Sequence, residues 1–363
     1  MSDGNGIDAG IIRKLLEEIY SNGDPNKKEL FRATAYRLIF GVTEGYGKDF
    51  PKLKYNSPDF DMLNRLTYNA GTFAAFKNHD QIKETVKLLK DDEGTLRSKE
   101  DFIKEAKKLN DTYNKRYLGV EYDQAVTSGR MAKKWQDAKR TQNTYPNLTY
   151  IAVMDDRTRP LHRKWHGITL PIDHKFWETH YPPNDWACRC TIRRTDKVSD
   201  DKGLNVTDMP ALPKQFSINV GKDGRVYEDS HPYFKTSSFK MVAQYAKNAL
   251  VRFQSSTYYP KLKDAFTGKH KTDIGTVTVN NTGISKTLSQ PHANAYLKNN
   301  LLLKLDELLA NSFYIGSSAP TKPGHWKVFH YLRLNGYDDM ILVFREDHQG
   351  EVFYYSIVDK IKS

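Results

Sequence analysis

Two cysteines in 363 residues, separated by a single position, leave this chain without the means to staple itself by disulfides. A bridge across the one residue between Cys188 and Cys190 would be strained, so both are expected to be thiols or ligands. Long apolar runs are also missing. No stretch approaches the roughly 18 consecutive apolar residues of a membrane span, which excludes a spanning helix. The opening MSDGNGIDAG has no basic stretch followed by an apolar one, so no secretory leader is expected and synthesis is expected in the cytoplasm. What the chain does have is charge: 56 Lys and Arg against 44 Asp and Glu, a formal +12. Such an excess bears on solubility and partners rather than on fold. It favours contact with nucleic acid or another polyanion, and lysine-rich solvated helices give the same sum.

From Ala9 to Ala138 the apolar residues recur at helical spacing. Ser57-Pro58 reads as an N-cap with proline at the first helical position, followed by Leu63, Leu66, Ala70 and Phe73 on one face. Ser98 with Asp101 resembles a capping box ahead of Phe102, Ala106, Leu109 and Tyr113. The next helix ends in Arg130, Lys133, Lys134, Lys139 and Arg140, which suit a helix C-terminus and equally a polyanion. Tyr145-Pro146-Asn147 breaks the helical pattern, and a short strand is expected over residues 148–154. Beyond Arg194 the composition turns to Asp, Lys, Gly and Pro without periodicity, and residues 196–235 read as a linker or surface-lying arm. A helix over 237–253 follows. The last part shows a β-rich run at 275–280, a leucine-rich helix at 291–311 and three strand-like runs at 326–334, 340–345 and 351–358. Asn335-Gly336 and His348-Gln349-Gly350 are the expected turns between them.

The fold class expected is α+β and multidomain. It comprises a helical N-terminal region (1–146), a small loop-rich Cys/His domain with a linker (147–235), and a C-terminal helix packed on an antiparallel sheet (236–363).

Between these regions, the stretch Tyr150 to Arg194 is dense in Asp, Arg, Pro, Trp and His and holds both cysteines. It reads as a compact, loop-built site. The run Asp155, Arg157-Thr158-Arg159-Pro160, His162, Gly167, Pro182-Pro183 and Cys188-Arg189-Cys190, with the upstream YLGVEYDQAV beginning at Tyr117, resembles the phage Mu F / SPP1 gp7 family of head morphogenesis proteins. The likeness covers about a third of the chain, from roughly Phe76 to Arg194. It implies a minor head protein of a phage or prophage, associated with portal or capsid proteins and with packaged DNA, located in the virion and carried toward the host cell.

Cys188, Cys190 and His162 could serve as ligands of a structural zinc, with His166, Asp155 or Asp185 as a fourth. The plainer alternative is that the cysteines are small buried hydrophobes and His162 bonds a carbonyl in the turn fixed by Pro160. A catalytic role here is disfavoured, because no carboxylate pair stands at the spacing of a metal-dependent nuclease. Arg157 and Arg159 read as arginines bonding loop carbonyls and carboxylates.

The C-terminal stretch from Gly283 through His292 to Asn294, with the strands around His330 and Tyr354, resembles the barnase / EndoU / colicin E5 / RelE-like nuclease group over roughly residues 267–362. That resemblance implies a toxin-like, metal-independent ribonuclease needing no cofactor. Its substrate would be RNA, and an immunity protein would be a natural partner. His292 and Lys286, with Ser289 or Thr287 as donors, His330 as a second imidazole and Tyr354 from the sheet, have the residue types such chemistry needs. Each also has a plain structural use: helix start, loop lysine or sheet packing. The alternative for the whole is a structural virion protein whose last domain is an inactive docking module.

Overall fold

The computed structural model describes residues 6–205 and 209–361. They form two compact units, Met1–Asp49 with Arg65–Ala246 and Phe50–Asn64 with Lys247–Ser363. The architecture is α+β and multidomain, with a helical N-terminal region and a sheet at the C-terminal end.

Five helices open the chain: α1 (Ala9–Asn22), α2 (Lys28–Tyr46), α3 (Pro58–Lys87), α4 (Lys99–Asp111) and α5 (Leu118–Arg140). Their starts follow the polar residues ahead of them. Asp8 Oδ1 accepts from Gly10 N at 2.8 Å, Ser57 Oγ from Phe60 N at 3.2 Å and Ser98 Oγ from Asp101 N at 3.1 Å. Leu63, Leu66, Ala70 and Phe73 of α3 are fully buried, as their spacing predicts. Helices α2 and α5 approach until their backbones touch. A Cβ on Gly45 would lie 1.9 Å from the Val126 carbonyl oxygen, and one on Gly129 2.3 Å from that of Val42, so only glycine fits at either crossing.

Lys77 of α3 meets Glu121 of α5 at 3.0 Å with both side chains buried, and the rings of Tyr113, Tyr117 and Tyr233 surround the ammonium. Burial pushes the lysine down and the glutamate up, and each partner opposes the other's shift.

After α5 come β1 (Asn147–Ile151), α6 (Pro160–Lys164), β2 (Thr169–Pro171), α7 (Phe176–Thr179) and β3 (Thr191–Thr195). The three strands form an antiparallel sheet in the order β2-β1-β3. The segment read as a linker differs from that expectation. Residues 214–235 carry a short helix, α8 (Val220–Asp223), and pack back on α3 and α5. Tyr227 stacks on Phe73 at 3.7 Å and donates to the Glu121 carbonyl at 2.6 Å. Asn69 receives the Val226 and Tyr227 amides, both at 2.9 Å. Turn residues marked the bends, and the aromatic residues between them do the packing.

The second unit takes in α9 (Phe239–Phe266) from Lys247 on, and this helix runs past the expected end at Phe253 and through Pro260. Its sheet has six strands in the order β4-β5-β9-β8-β7-β6: β4 (Gly268–Thr272), β5 (Gly275–Val279), β6 (Ser312–Ser318), β7 (Trp326–Leu334), β8 (Ile341–Asp347) and β9 (Val352–Val358). The pairings are antiparallel except β5 with β9, joined in parallel through Thr278 and Phe353. Gly336 and Gly350, at φ of 88° and 83°, make the turns expected of them. Lys286, read as a loop lysine, instead lies on helix α10 (Asn281–Ser289). The single helix expected at 291–311 is broken into α11 (Ala295–Leu301) and α12 (Leu305–Ala310).

Candidate metal centre

Strand β1 ends at Ile151, and the chain then turns through Asp155 and Thr158 into α6, whose first turn carries His162. Thr158 donates to the Val153 carbonyl, and Arg163 reaches back to the carbonyls of Thr158 and Asp155. These bonds close the loop on itself. A second set locks it to the segment that enters β3. Arg189 forks onto the Asp155 carboxylate at 2.7 and 2.6 Å, and Arg159 holds Asp185 at 2.7 Å and the Trp186 carbonyl at 3.0 Å. Arg189 keeps the Asp155 carboxyl well below the usual carboxylate range.

With Arg189 drawn outward, the cysteines on either side of it turn inward toward His162. The Cys188 and Cys190 sulfurs lie 3.8 and 3.6 Å from His162 Nδ1, and the three ligand atoms are all within 4.8 Å of one another. All three residues are buried, and Trp165 stacks beneath the imidazole. The two thiols share their protons unequally. A hydrogen bond from Cys190 lowers Cys188, with help from His162, and the same bond raises Cys190. Burial and the adjacent sulfurs also push the Tyr150 hydroxyl up, while it donates to Asn184 at 2.9 Å.

The separations suit a metal. A tetrahedron with Zn–S near 2.3 Å and Zn–N near 2.0 Å has S–N edges of about 3.5 Å. The fourth ligands considered from sequence are occupied elsewhere: His166 Nδ1 accepts from Ala152 N at 3.2 Å, Asp155 is held by Arg189, and Asp185 by Arg159. Beside the triad lies a cavity of about 10 Å³ lined by Thr158, Arg159 and Ala187 among others. That is about the space one water needs. The donor set therefore fits zinc with three protein ligands and a water.

The C-terminal candidates are placed separately. His292 is buried with both ring nitrogens in use: Nδ1 accepts from Asn294 N at 2.9 Å, and Nε2 lies 2.9 Å from the Asp339 carbonyl. Burial pushes its pKa down. Lys286 lies on α10 rather than in a loop, its ammonium 5.9 Å from the centre of the Tyr355 ring. Ser289 bonds the carbonyls of Ser285 and Lys286 within the same helix. Tyr354 is buried against α10, its hydroxyl 2.8 Å from that of Thr287. His330 pairs with Glu346 at 2.9 Å across β7 and β8, and Lys327 bonds the same carboxylate at 3.2 Å.

Two residues escaped the sequence reading. Glu346 stands diagonal to His330 in a register closed by the Leu334–Met340 bond around residues 335–339, a connection longer than the Asn335-Gly336 pair alone implies. Lys298, fully buried and bonded to the Thr287 and Gln290 carbonyls, is pushed down to about 7 by burial. No local pattern marks it.

Residues 93–193, which include His162 and both cysteines, match the family described as Phage Mu protein F like protein. Residues 253–355 match the family described as Large polyvalent protein-associated domain 3. The chain is 32% identical over 130 residues to the putative capsid assembly protein F of Escherichia phage Mu, which covers 35% of this chain and 30% of that protein. It is 34% identical over 93 residues to the Mu-like prophage FluMu F protein of Haemophilus influenzae, covering 25% of this chain and 22% of the relative. The chain thus spans less than a third of the length of these curated relatives. No solved structure matches it. The matches support the head morphogenesis family for the central region, and no helix among the described residues is long and apolar enough to cross a membrane.

Proposed function

We propose that this chain is a phage or prophage head-assembly protein, held in the virion against portal or capsid proteins, with a zinc ion bound by Cys188, Cys190 and His162. The observation that carries this reading is the 130-residue likeness to the phage Mu capsid assembly protein, taken with the family match over residues 93–193, within which the Cys/His residues fall together in space. The metal's task is structural. It ties the loop after β1 to the strand entering the other edge of the sheet, where the Arg189–Asp155 and Arg159–Asp185 pairs alone are half exposed and weak. Particles purified from cells carrying the source genome should contain the protein, and deleting codons 93–193 should abolish DNA-filled heads. Undiminished titre from particles lacking the chain would overturn the proposal.

A second reading concerns the C-terminal unit, which we propose as a metal-independent ribonuclease with His330 at its centre. Its support is the His330–Glu346 pair, an imidazole oriented by a carboxylate and only partly buried, with Lys327 beside it. Such an imidazole can take the proton of a ribose 2′-hydroxyl, whose oxygen then attacks the adjacent phosphate and expels the 5′-oxygen, which takes a proton from water to leave as a 5′-hydroxyl. Incubated with RNA in EDTA, the protein should yield 2′,3′-cyclic phosphate ends and leave DNA intact. His330→Ala should slow this by about 10²- to 10⁴-fold on a folded unit. Intact RNA with soluble wild-type protein would leave the unit a docking module.

A further inference from the structure

A cavity of about 390 Å³ opens between the last turns of α5 and the edge strand β3, lined by Lys134, Asp137, Tyr145, Ile192, Arg193 and Arg194. Its lining is cationic for reasons that internal pairing does not remove. Asp137 is already taken by Lys133 and Arg140. Lys134 spends its ammonium on the Thr191 hydroxyl at 2.6 Å and the Ile192 carbonyl, both neutral. Arg194 bonds the Asp137 carbonyl and the Thr141 hydroxyl, with the Tyr145 ring 6.0 Å away. Arg193 at the cavity, and Arg130 one helical turn before Lys134, are exposed and make no ion pair among the described residues.

Like charges gathered at one place repel unless an anion joins them. Burial, and then Arg130 and Arg194, push the Lys134 ammonium below its ordinary range. We propose that this cavity is a phosphate site for the backbone of duplex DNA, with Lys134 and Arg194 facing one phosphate and Arg130 and Arg193 reaching its neighbours. Arginines and lysines suit the phosphodiester, and the chain's +12 supplies the complementary charge. The lining is mainly cationic, with the single ring of Tyr145 beside Arg194, so the contact positions DNA through its phosphates rather than reading sequence. The inference stands on the cavity and holds whatever the chain's role in a particle.

The test measures binding of the full chain to a short labelled DNA duplex by fluorescence anisotropy, between about 50 and 200 mM salt. Arg130→Glu with Arg193→Glu should weaken binding by roughly 10-fold or more and flatten the salt slope by about 2, near 0.9 per lost phosphate contact. Neither side chain has a structural partner, so the melting temperature should hold. If the charge reversal fails to fold, Arg130→Gln with Arg193→Gln replaces it, with the same loss of slope expected. Lys104→Glu with Lys107→Glu, exposed on α4, changes net charge equally and should leave affinity within about 2-fold. Equal weakening by both pairs would reduce the binding to net charge and overturn the site. So would an unchanged affinity in the Arg130/Arg193 variant. Tighter binding to polyglutamate than to DNA, with the same sensitivity to Arg130 and Arg193, would overturn it in favour of an acidic protein partner.

Discussion

His162 and His292 occupy the same kind of place, each two positions or fewer after a proline near the start of a helical segment, and use their rings in opposite ways. His162 turns its Nδ1 toward two sulfurs that arrive from 26 and 28 residues further along the chain. His292 turns both nitrogens to backbone groups, one two residues away and one at Asp339. A histidine after proline is therefore ambiguous by itself. What separates the two is whether other side chains capable of ligation converge on the ring. Backbone bonds on both nitrogens mark a residue that holds the fold. A ring facing two thiols can hold something else.

The largest effect that would sharpen this contrast is metal loss. Protein prepared without chelator should carry about one zinc per chain, since structural sites bind tightly at neutral pH. Cys188→Ser should empty the site and cost several kcal/mol, on the order of 5 °C or more in Tm for a unit of this size. The same substitution should leave the C-terminal unit's melting unchanged. Fewer than about one zinc per several chains, with Cys188→Ser no worse than a small core change, would reduce the triad to buried thiols beside an imidazole.

How much of this was legible in the sequence depends on the range of the interaction involved. Starts such as Ser57-Pro58 and Ser98, and the turn at Asn335-Gly336, are written in a few adjacent residues and read correctly. The Cys188-Arg189-Cys190 alternation also carries its own logic, because residues two apart in an extended chain share a side while the one between faces away. That Arg189 would be drawn outward by Asp155, 34 residues earlier, is a tertiary fact. The same holds for Lys77 and Glu121, whose pairing looks from sequence like two solvated charges, and for Tyr227, whose stacking on Phe73 turns an expected linker into core. Helix α10 was hidden for another reason. Its Gly283 and two serines suggest a loop, but Gly283 is the position where the Tyr354 carbonyl comes so near that a Cβ would sit 2.3 Å away. Tertiary contact there overrides helix propensity.

The smallest effect concerns His292, and it tests the other side of the comparison. His292→Ala should remove two bonds to the backbone and cost about 2 kcal/mol, at about 1 kcal/mol each, while any RNA cleavage stays within a few-fold of wild type. Acid should reveal the same residue. Burial, offset in part by the Asp339 carbonyl and the charges of Asp359 and Asp339 and reinforced by Lys298, holds the folded His292 below the ordinary value of 6.5. Below that value the unfolded chain binds a proton that the folded one refuses, so stability is present above 6.5 and falls as the pH drops toward the folded pKa. Wild type should lose more stability than His292→Ala between neutral pH and the folded pKa, and the two melting curves should draw closer as the pH falls. Parallel loss in both proteins would mean that His292 takes up its proton in the fold as readily as in the unfolded chain. It would then have at least one nitrogen free of its backbone bond, and the distinction from His162 would fail.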